Sequence, residues 1–440
     1  MKVDYNKIHY YGTLISMRYF ADCHFHVMTM KEPNFAAFIN SLYSSPQELL
    51  NANATDNYII GTKLFKGESL IDSVGNTLSA FERPIWDTLS MMEKDLRGEY
   101  RKETKRSYEP EKPYINRGKL HIKGRIYDKM IMIPLVMDFS QRQESLDRYY
   151  YPKEEEDKLT AYLKATVEGM RKYYQMNPDG LFEFYPFAGI NPKAHSFGYL
   201  DEFLSKYINT THRMHKDHTI PTKPFYGIKI YPPLDFNPWP EDPETLEKHR
   251  YLYSFCERNR IPIITHCDDQ GFRGISANLA WKYTDPASWR TVLENYPGLI
   301  IDFAHFGRQY AYSSFTDIRS IQAKMKGYPF SPWFRSIVDL VDEFDHVYAD
   351  LSFSGTVPDF YTRLCQYLKD LNEKTREKLE DRILFGSDFS VNLLKVESYT
   401  EYYSIFEKAQ FTDKQVEKFT NINPIDFLGL KENQNLLQKD

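Results

Sequence analysis

Hydrophobic positions along this chain gather in short β-rich runs, each followed by a polar stretch compatible with a helix. That alternation is the sequence sign of strand–helix units around a parallel sheet. Eight runs stand out: 19–26 (YFADCHFH), 130–138 (MIMIPLVMD), 181–185 (LFEFY), 226–231 (YGIKIY), 262–266 (PIITH), 299–305 (LIIDFAH), 347–351 (VYADL) and 383–388 (ILFGSD). Most are continuous apolar segments, as strands buried on both faces are. Eight repeats of strand then helix predict an α/β fold closed as a (β/α)8 TIM barrel. Between the runs, 154–174 and 359–378 read as helices; in the second, Phe360, Leu364, Leu368 and Leu371 recur at helical spacing. The connection 27–129, about a hundred residues long, exceeds any ordinary loop between barrel strands. It is expected to be an insertion that caps the barrel mouth, between strands 1 and 2 of a single domain spanning 1–440.

Composition adds bounds rather than chemistry. Hydrophobic residues at 42% and aromatic residues at 16% suffice for a sizeable core and argue against disorder. A net charge of −5 gives no global attraction to nucleic acid or acidic membranes, so an anionic ligand must be met by particular arginines or lysines. Segment 94–125 holds eleven Lys/Arg against five Asp/Glu. With no aromatic-interleaved nucleic-acid motif beside it, this reads as a solvated surface. No run approaches the roughly 18 apolar residues of a spanning helix, and the first twenty residues lack an apolar leader core. The expectation is a cytoplasmic protein with a small-molecule substrate, no nucleic acid or membrane partner, and room for a homo-oligomer. Cys23, Cys256, Cys267 and Cys365 are scattered without CxxC spacing and read as free thiols.

The chemistry lies at the ends of the runs. Asp22-Cys23-His24-Phe25-His26 sets two imidazoles two positions apart, so a strand's period of two turns both to one side. Alone, an HxH is more often packing than a metal site. Three more runs, however, end in a ligand-type residue: His266 in PIITH, His305 in LIIDFAH and Asp388 in ILFGSD, while Lys229 stands near the end of GIKIY. Barrel active sites are built from the C-terminal ends of strands, so these groups should meet at one mouth. Arg273 (DDQGFRG), Arg308 (HFGRQ) and His195 (GINPKAHS) follow strands on the same face and are substrate-binding candidates, with a solvated loop as the bland alternative for each arginine. His212, His215 and His218 precede the fourth run and belong to the opposite face. Strand alternation is expected to turn Cys23 and Cys267 away from the site.

In this order the HxH, His, His and Asp resemble the amidohydrolase superfamily, and their spacing looks closest to its amidohydrolase-2 branch of hydrolases and decarboxylases. The likeness extends to the tail, Asn423-Pro424 followed by Phe427-Leu428-Gly429-Leu430. It implies that His24, His26 and Asp388 bind a divalent metal, zinc in the first instance, and that His266 also ligates. It implies that His305 either holds a second ion or polarises the substrate, and that Lys229, if carboxylated, bridges two ions; one ion is favoured over two. The implied activity is metal-dependent hydrolysis of a small carboxylated lactone, amide or ester, with Asp388 and His305 catalytic. The alternative is a non-oxidative decarboxylase using the same site.

Overall fold

The computed structural model describes residues 17–29, 77, 79–99, 113–140, 158–214, 218–271, 273–309, 330–357 and 359–430. After β1 (Tyr19–His26) comes a small antiparallel sheet of β2 (Ile115–Asn116), β3 (Lys119–Ile122) and β4 (Arg125–Tyr127). The chain continues through β5 (Lys129–Leu135), β6 (Phe182–Phe184), β7 (Phe187–Gly189), β8 (Gly227–Ile230), β9 (Ile263–Thr265), β10 (Ile301–Phe303), β11 (Val347–Asp350) and β12 (Ile383–Leu384). Eight of these form one parallel path, β1-β5-β7-β8-β9-β10-β11-β12, with β6 beside β5. Backbone bonds from Cys23 N to Phe385 O (2.9 Å) and Asp388 N to His24 O (2.7 Å), with a parallel bridge between Phe25 and Phe389, join the last strand to the first. The fold is therefore the eight-stranded TIM-like barrel that the periodicity predicts.

Each expected run contains a strand, and a further strand, β7, follows the third run. β6 and β7 are separated at Tyr185 and Pro186, where proline has no N–H to give to the ladder. The helix expected over 359–378 is likewise two helices, Phe360–Asp370 and Glu373–Glu380. Asn372 breaks it: its side chain accepts from Thr375 N (3.0 Å) and caps the second piece.

Alternation along the strands sorts their side chains into two layers. Phe20, Ile228, Ile230, Ile263, Ile301, Phe303, Val347 and Ala349 join the outer core, between sheet and helices. Ala21, Ile131, Ile133, Phe187, Ile264, Tyr348 and Leu384 fill the barrel itself. Lys229, Asp302 and Asp350 fall on the inner face with the second set, where a charged group is costly unless paired.

The described portions of the insertion pack against outer helices. Helix Ile85–Leu96 packs on Lys158–Met176, so closely that a Cβ at Gly169 would stand 2.5 Å from Ile85 Cγ2. Asp95 Oδ2 accepts from Thr400 N (2.8 Å), while Lys123 Nζ reaches the carbonyls of Glu407 (2.8 Å) and Ala409 (2.6 Å). Basic residues of the 94–125 segment are engaged at the surface: Arg97 pairs with Glu93, Lys119 with Asp128 and Arg125 with Glu417. Residues 30–76 and 100–112 of the expected cap lie outside the described residues. Among the described residues no helix is long and apolar enough to cross a membrane.

Candidate metal centre

His24 and His26 share the inner face of β1, with Phe25 between them on the outer core. The register against β5 shifts between Asp22 and Phe25, and this bulge brings both rings inward with centroids 5.4 Å apart. It also changes the place of Cys23, which belongs to the barrel's inner cluster rather than turning outward. Burial, then the charges of Asp22, Asp302 and Asp350, push that thiol far up, so it offers no thiolate. Cys267 is buried too, with Sγ 3.6 Å from Thr284 O, and burial raises its thiol as well.

Asp388 enters from the turn after β12, at φ 59°, held by its N–H on the His24 carbonyl. Its Oδ1 lies 3.6 Å from His24 Nε2 and 3.5 Å from His26 Nε2. These three residues have ligand atoms all within 4.8 Å of one another. Asp388 Oδ1 is buried and has no hydrogen-bond partner among the described residues. Burial holds this carboxyl well above the usual carboxylate range, against the opposing charge of Lys229.

Hydrogen-bond partners determine which ring nitrogens are bare. His24 Nδ1 is 2.7 Å from Asp350 Oδ2 and His26 Nδ1 is 3.3 Å from Leu135 O; carboxylate and carbonyl oxygens accept, so each Nδ1 donates and each Nε2 keeps its lone pair. Burial and Lys229 push His24 down to about 4, and burial, aided by His24, takes His26 well below its ordinary value, so both are neutral near pH 7. Neutral imidazoles with bare Nε2 atoms facing an orphaned carboxylate oxygen are a donor set for a divalent cation. The spacing agrees. Ligand atoms around a tetrahedral ion with bonds of about 2.1 Å stand roughly 3.4 Å apart.

Asp350, at the end of β11, organises this arrangement. Oδ2 takes His24 Nδ1, while Oδ1 accepts His305 N (2.9 Å), Ser352 N (2.9 Å) and the Ser352 hydroxyl. Burial alone would raise this carboxyl, yet His24 by charge and hydrogen bond, then His305 and Asp302, hold it below the carboxylate range. Asp302, on β10, is driven the other way by burial and by the charge of Asp350. Sequence reasoning took VYADL as a strand and left Asp350 unassigned. The signal that could have found it was a ligand-type residue at a strand's C-terminal end, as used for His266 and Asp388.

The remaining candidates are distributed as follows. His305 adopts φ 60°, with its ring centroid 4.9 Å from His24 and 5.1 Å from His266. His266 stands beside this group without joining it: its ring stacks on Tyr231 (4.3 Å) and its Nε2 lies 3.0 Å from Gln270 O, so that nitrogen donates to a carbonyl. Lys229 is buried, with Nζ 3.5 Å from His24 Nε2, and burial pushes it down to about 8 against the pull of Asp350, Asp388 and Asp302. Arg308 continues the chain from His305, its backbone bridged to Asp268 and its guanidinium 5.1 Å from the Phe353 ring. Arg273 is half-buried in the loop after β9. His195 Nε2 is 2.8 Å from Asp138 Oδ2, with the ring stacked on Tyr199 (4.3 Å). His212 bonds the carbonyls of Leu428 and Asn259, and His218 lies on Gly180 O and Tyr174; His215 is outside the described residues.

Residues 222–430 match the family model described as Amidohydrolase. No curated protein matches the chain. Among solved structures the chain is similar to 5-carboxyvanillate decarboxylase from Novosphingobium aromaticivorans, complexed with manganese and 4-hydroxy-3-methoxy-5-nitrobenzoic acid, at 13% identity over 95% of this chain and 97% of that one (TM-score 0.45). It is also similar to a probable 2-pyrone-4,6-dicarboxylic acid hydrolase from Acinetobacter baumannii with citric acid bound, at 14% identity over 69% and 84% (TM-score 0.38). A putative amidohydrolase from Staphylococcus aureus shares 15% identity over 69% and 87% (TM-score 0.37).

Proposed function

We propose that this chain, whose residues 222–430 match the Amidohydrolase family model, is a hydrolase holding one divalent cation, zinc in the first instance, on His24, His26 and Asp388. Its substrate on this reading is a small carboxylated lactone, amide or ester. The observation that carries the proposal is the buried Oδ1 of Asp388, without a hydrogen-bond partner among the described residues, facing two bare imidazole nitrogens. His266, committed to Gln270 O, and Lys229, 3.5 Å from a ligand nitrogen, support one ion rather than two.

A divalent cation in this setting supplies Lewis acidity, lowering the pKa of a bound water from 15.7 to about 7. The chain's own groups do the rest. Asp388 accepts the attacking water's proton and passes it to the leaving atom, Asp350 keeps His24 oriented, and Arg308 and Arg273 offer guanidinium forks for the substrate carboxylate. His195, fixed by Asp138, lines the same face. The 1–440 chain acts as one domain, in which insertion 27–129 shapes access to the mouth.

One observation favours a second reading, non-oxidative decarboxylation. Burial and the neighbouring Asp269 push Asp268 up to about 7 against the pull of Arg308, so a proton is available beside the site near neutrality. A panel of carboxylated lactones, amides, esters and aromatic acids separates the two, since hydrolysis titrates as released acid and decarboxylation as CO2. Elemental analysis should find about one divalent ion per chain, and Asp388→Asn should stay folded while losing the ion and most turnover. Full metal occupancy and full activity in that variant would refute the assignment.

A further inference from the structure

The hydrogen bonds around His305 determine what that residue can do. Its Nδ1 is 2.9 Å from Ser352 Oγ and 3.2 Å from Ser352 O. A carbonyl oxygen only accepts. The hydroxyl has a single hydrogen, and that hydrogen goes to Asp350 Oδ1, the oxygen that also takes Ser352 N and His305 N. Ser352 Oγ therefore meets His305 as an acceptor. Both contacts require a hydrogen on Nδ1, which in a neutral ring leaves Nε2 bare.

We infer that Ser352 is a positioning residue, which through Asp350 locks His305 in the tautomer whose Nε2 has a lone pair. His305 then serves the site as a proton acceptor or electron-pair donor, and not as the donor that would polarise a carbonyl. Its catalytic consequence rests on the proposed function; the tautomer itself does not. The same carboxylate that orients His24 from Oδ2 thus orients His305 from Oδ1 by way of one hydroxyl, so the two rings present bare Nε2 atoms together. A second-sphere partner that fixes the tautomer of a functional histidine is a recurrent device.

The test is side-chain nitrogen NMR of the full-length, chelator-treated protein labelled with 15N-histidine, in which bare and protonated ring nitrogens resonate in separate ranges. His305 is assigned by the resonances missing from His305→Gln. Expected is a protonated Nδ1 and a bare Nε2 at neutral pH, a measurably smaller share of that tautomer in Ser352→Ala, where only the backbone carbonyl still accepts from Nδ1, and recovery in Ser352→Thr, which restores the hydroxyl. A protonated Nε2 in the unsubstituted protein overturns the inference, as does an unchanged tautomer in folded Ser352→Ala. If the alanine variant does not fold, the unsubstituted and threonine proteins still decide it: Ser352→Thr must keep Nδ1 protonated. None of these readouts depends on turnover or bound metal, so a failure of the proposed function would appear separately, as absent metal or activity.

Discussion

Asp350 serves both the candidate ligand His24 and its neighbour His305, although it points no free oxygen at the site. Partners of this kind set ligand basicity and orientation, and losing one costs on the order of 10–100-fold in metal affinity. Asp350→Asn should show a loss of that size in competition with a chromogenic chelator, with the fold intact by circular dichroism; affinity within twofold of the unsubstituted protein would mean the carboxylate only fills space. Away from the site, His249 is buried against Phe236 (ring centroids 4.4 Å), and burial pushes it from 6.5 down to about 3. The unfolded chain binds a proton here below about 6.5 and the folded one does not until about 3. The contribution of His249 is therefore complete above pH 6.5 and declines as pH falls, on the order of 1.4 kcal/mol per pH unit in that window. Urea midpoints measured from pH 7 to pH 4 should fall more steeply for the unsubstituted protein than for His249→Leu. Parallel profiles would show that this ring does not drive the acid sensitivity.

Elements matter here through where they stop. β1 ends on His26, β11 on Asp350, and β12 two residues before the turn that leads to Asp388, so strand ends deliver the site's groups to one rim. The helix expected over 359–378 stops early because Asn372 offers its side chain to Thr375 N in place of a backbone carbonyl. Asn372→Ala should lower stability by about 1 kcal/mol, read as a shift in chemical midpoint, while Asn372→Ser should be nearly neutral. Close packing sets a stricter limit at Gly227 on β8, where an added Cβ would stand 2.3 Å from the Phe187 ring. Overpacking of that kind typically costs about 1–3 kcal/mol, so Gly227→Ala should melt earlier; an unchanged Tm would mean the ring has room to move.

For the molecule as a whole, the barrel and its cation site should form one linked equilibrium. Ligand atoms drawn from β1 and from the turn after β12 come together only when the first and last strands join, so an ion bound by all of them favours the closed barrel. Saturation at a hundred times Kd adds about 2.7 kcal/mol of stability by mass action. Divalent cation should accordingly raise Tm and chelator lower it, and Asp388→Asn should erase the difference; a metal-insensitive Tm in the unsubstituted protein would count against this linkage. The periodicity of the chain was enough to anticipate eight parallel strands and the residues at their ends, because burial on both faces and a period of two are local properties of sequence. Four features were decided by tertiary structure: the bulge that carries Cys23 inward, the split at Pro186, the diversion of His266 to Gln270 O, and the part played by Asp350. Each depends on which distant backbone or side-chain group occupies the neighbouring space, and a hydrogen bond between residues hundreds of positions apart leaves no periodic trace in the order of amino acids.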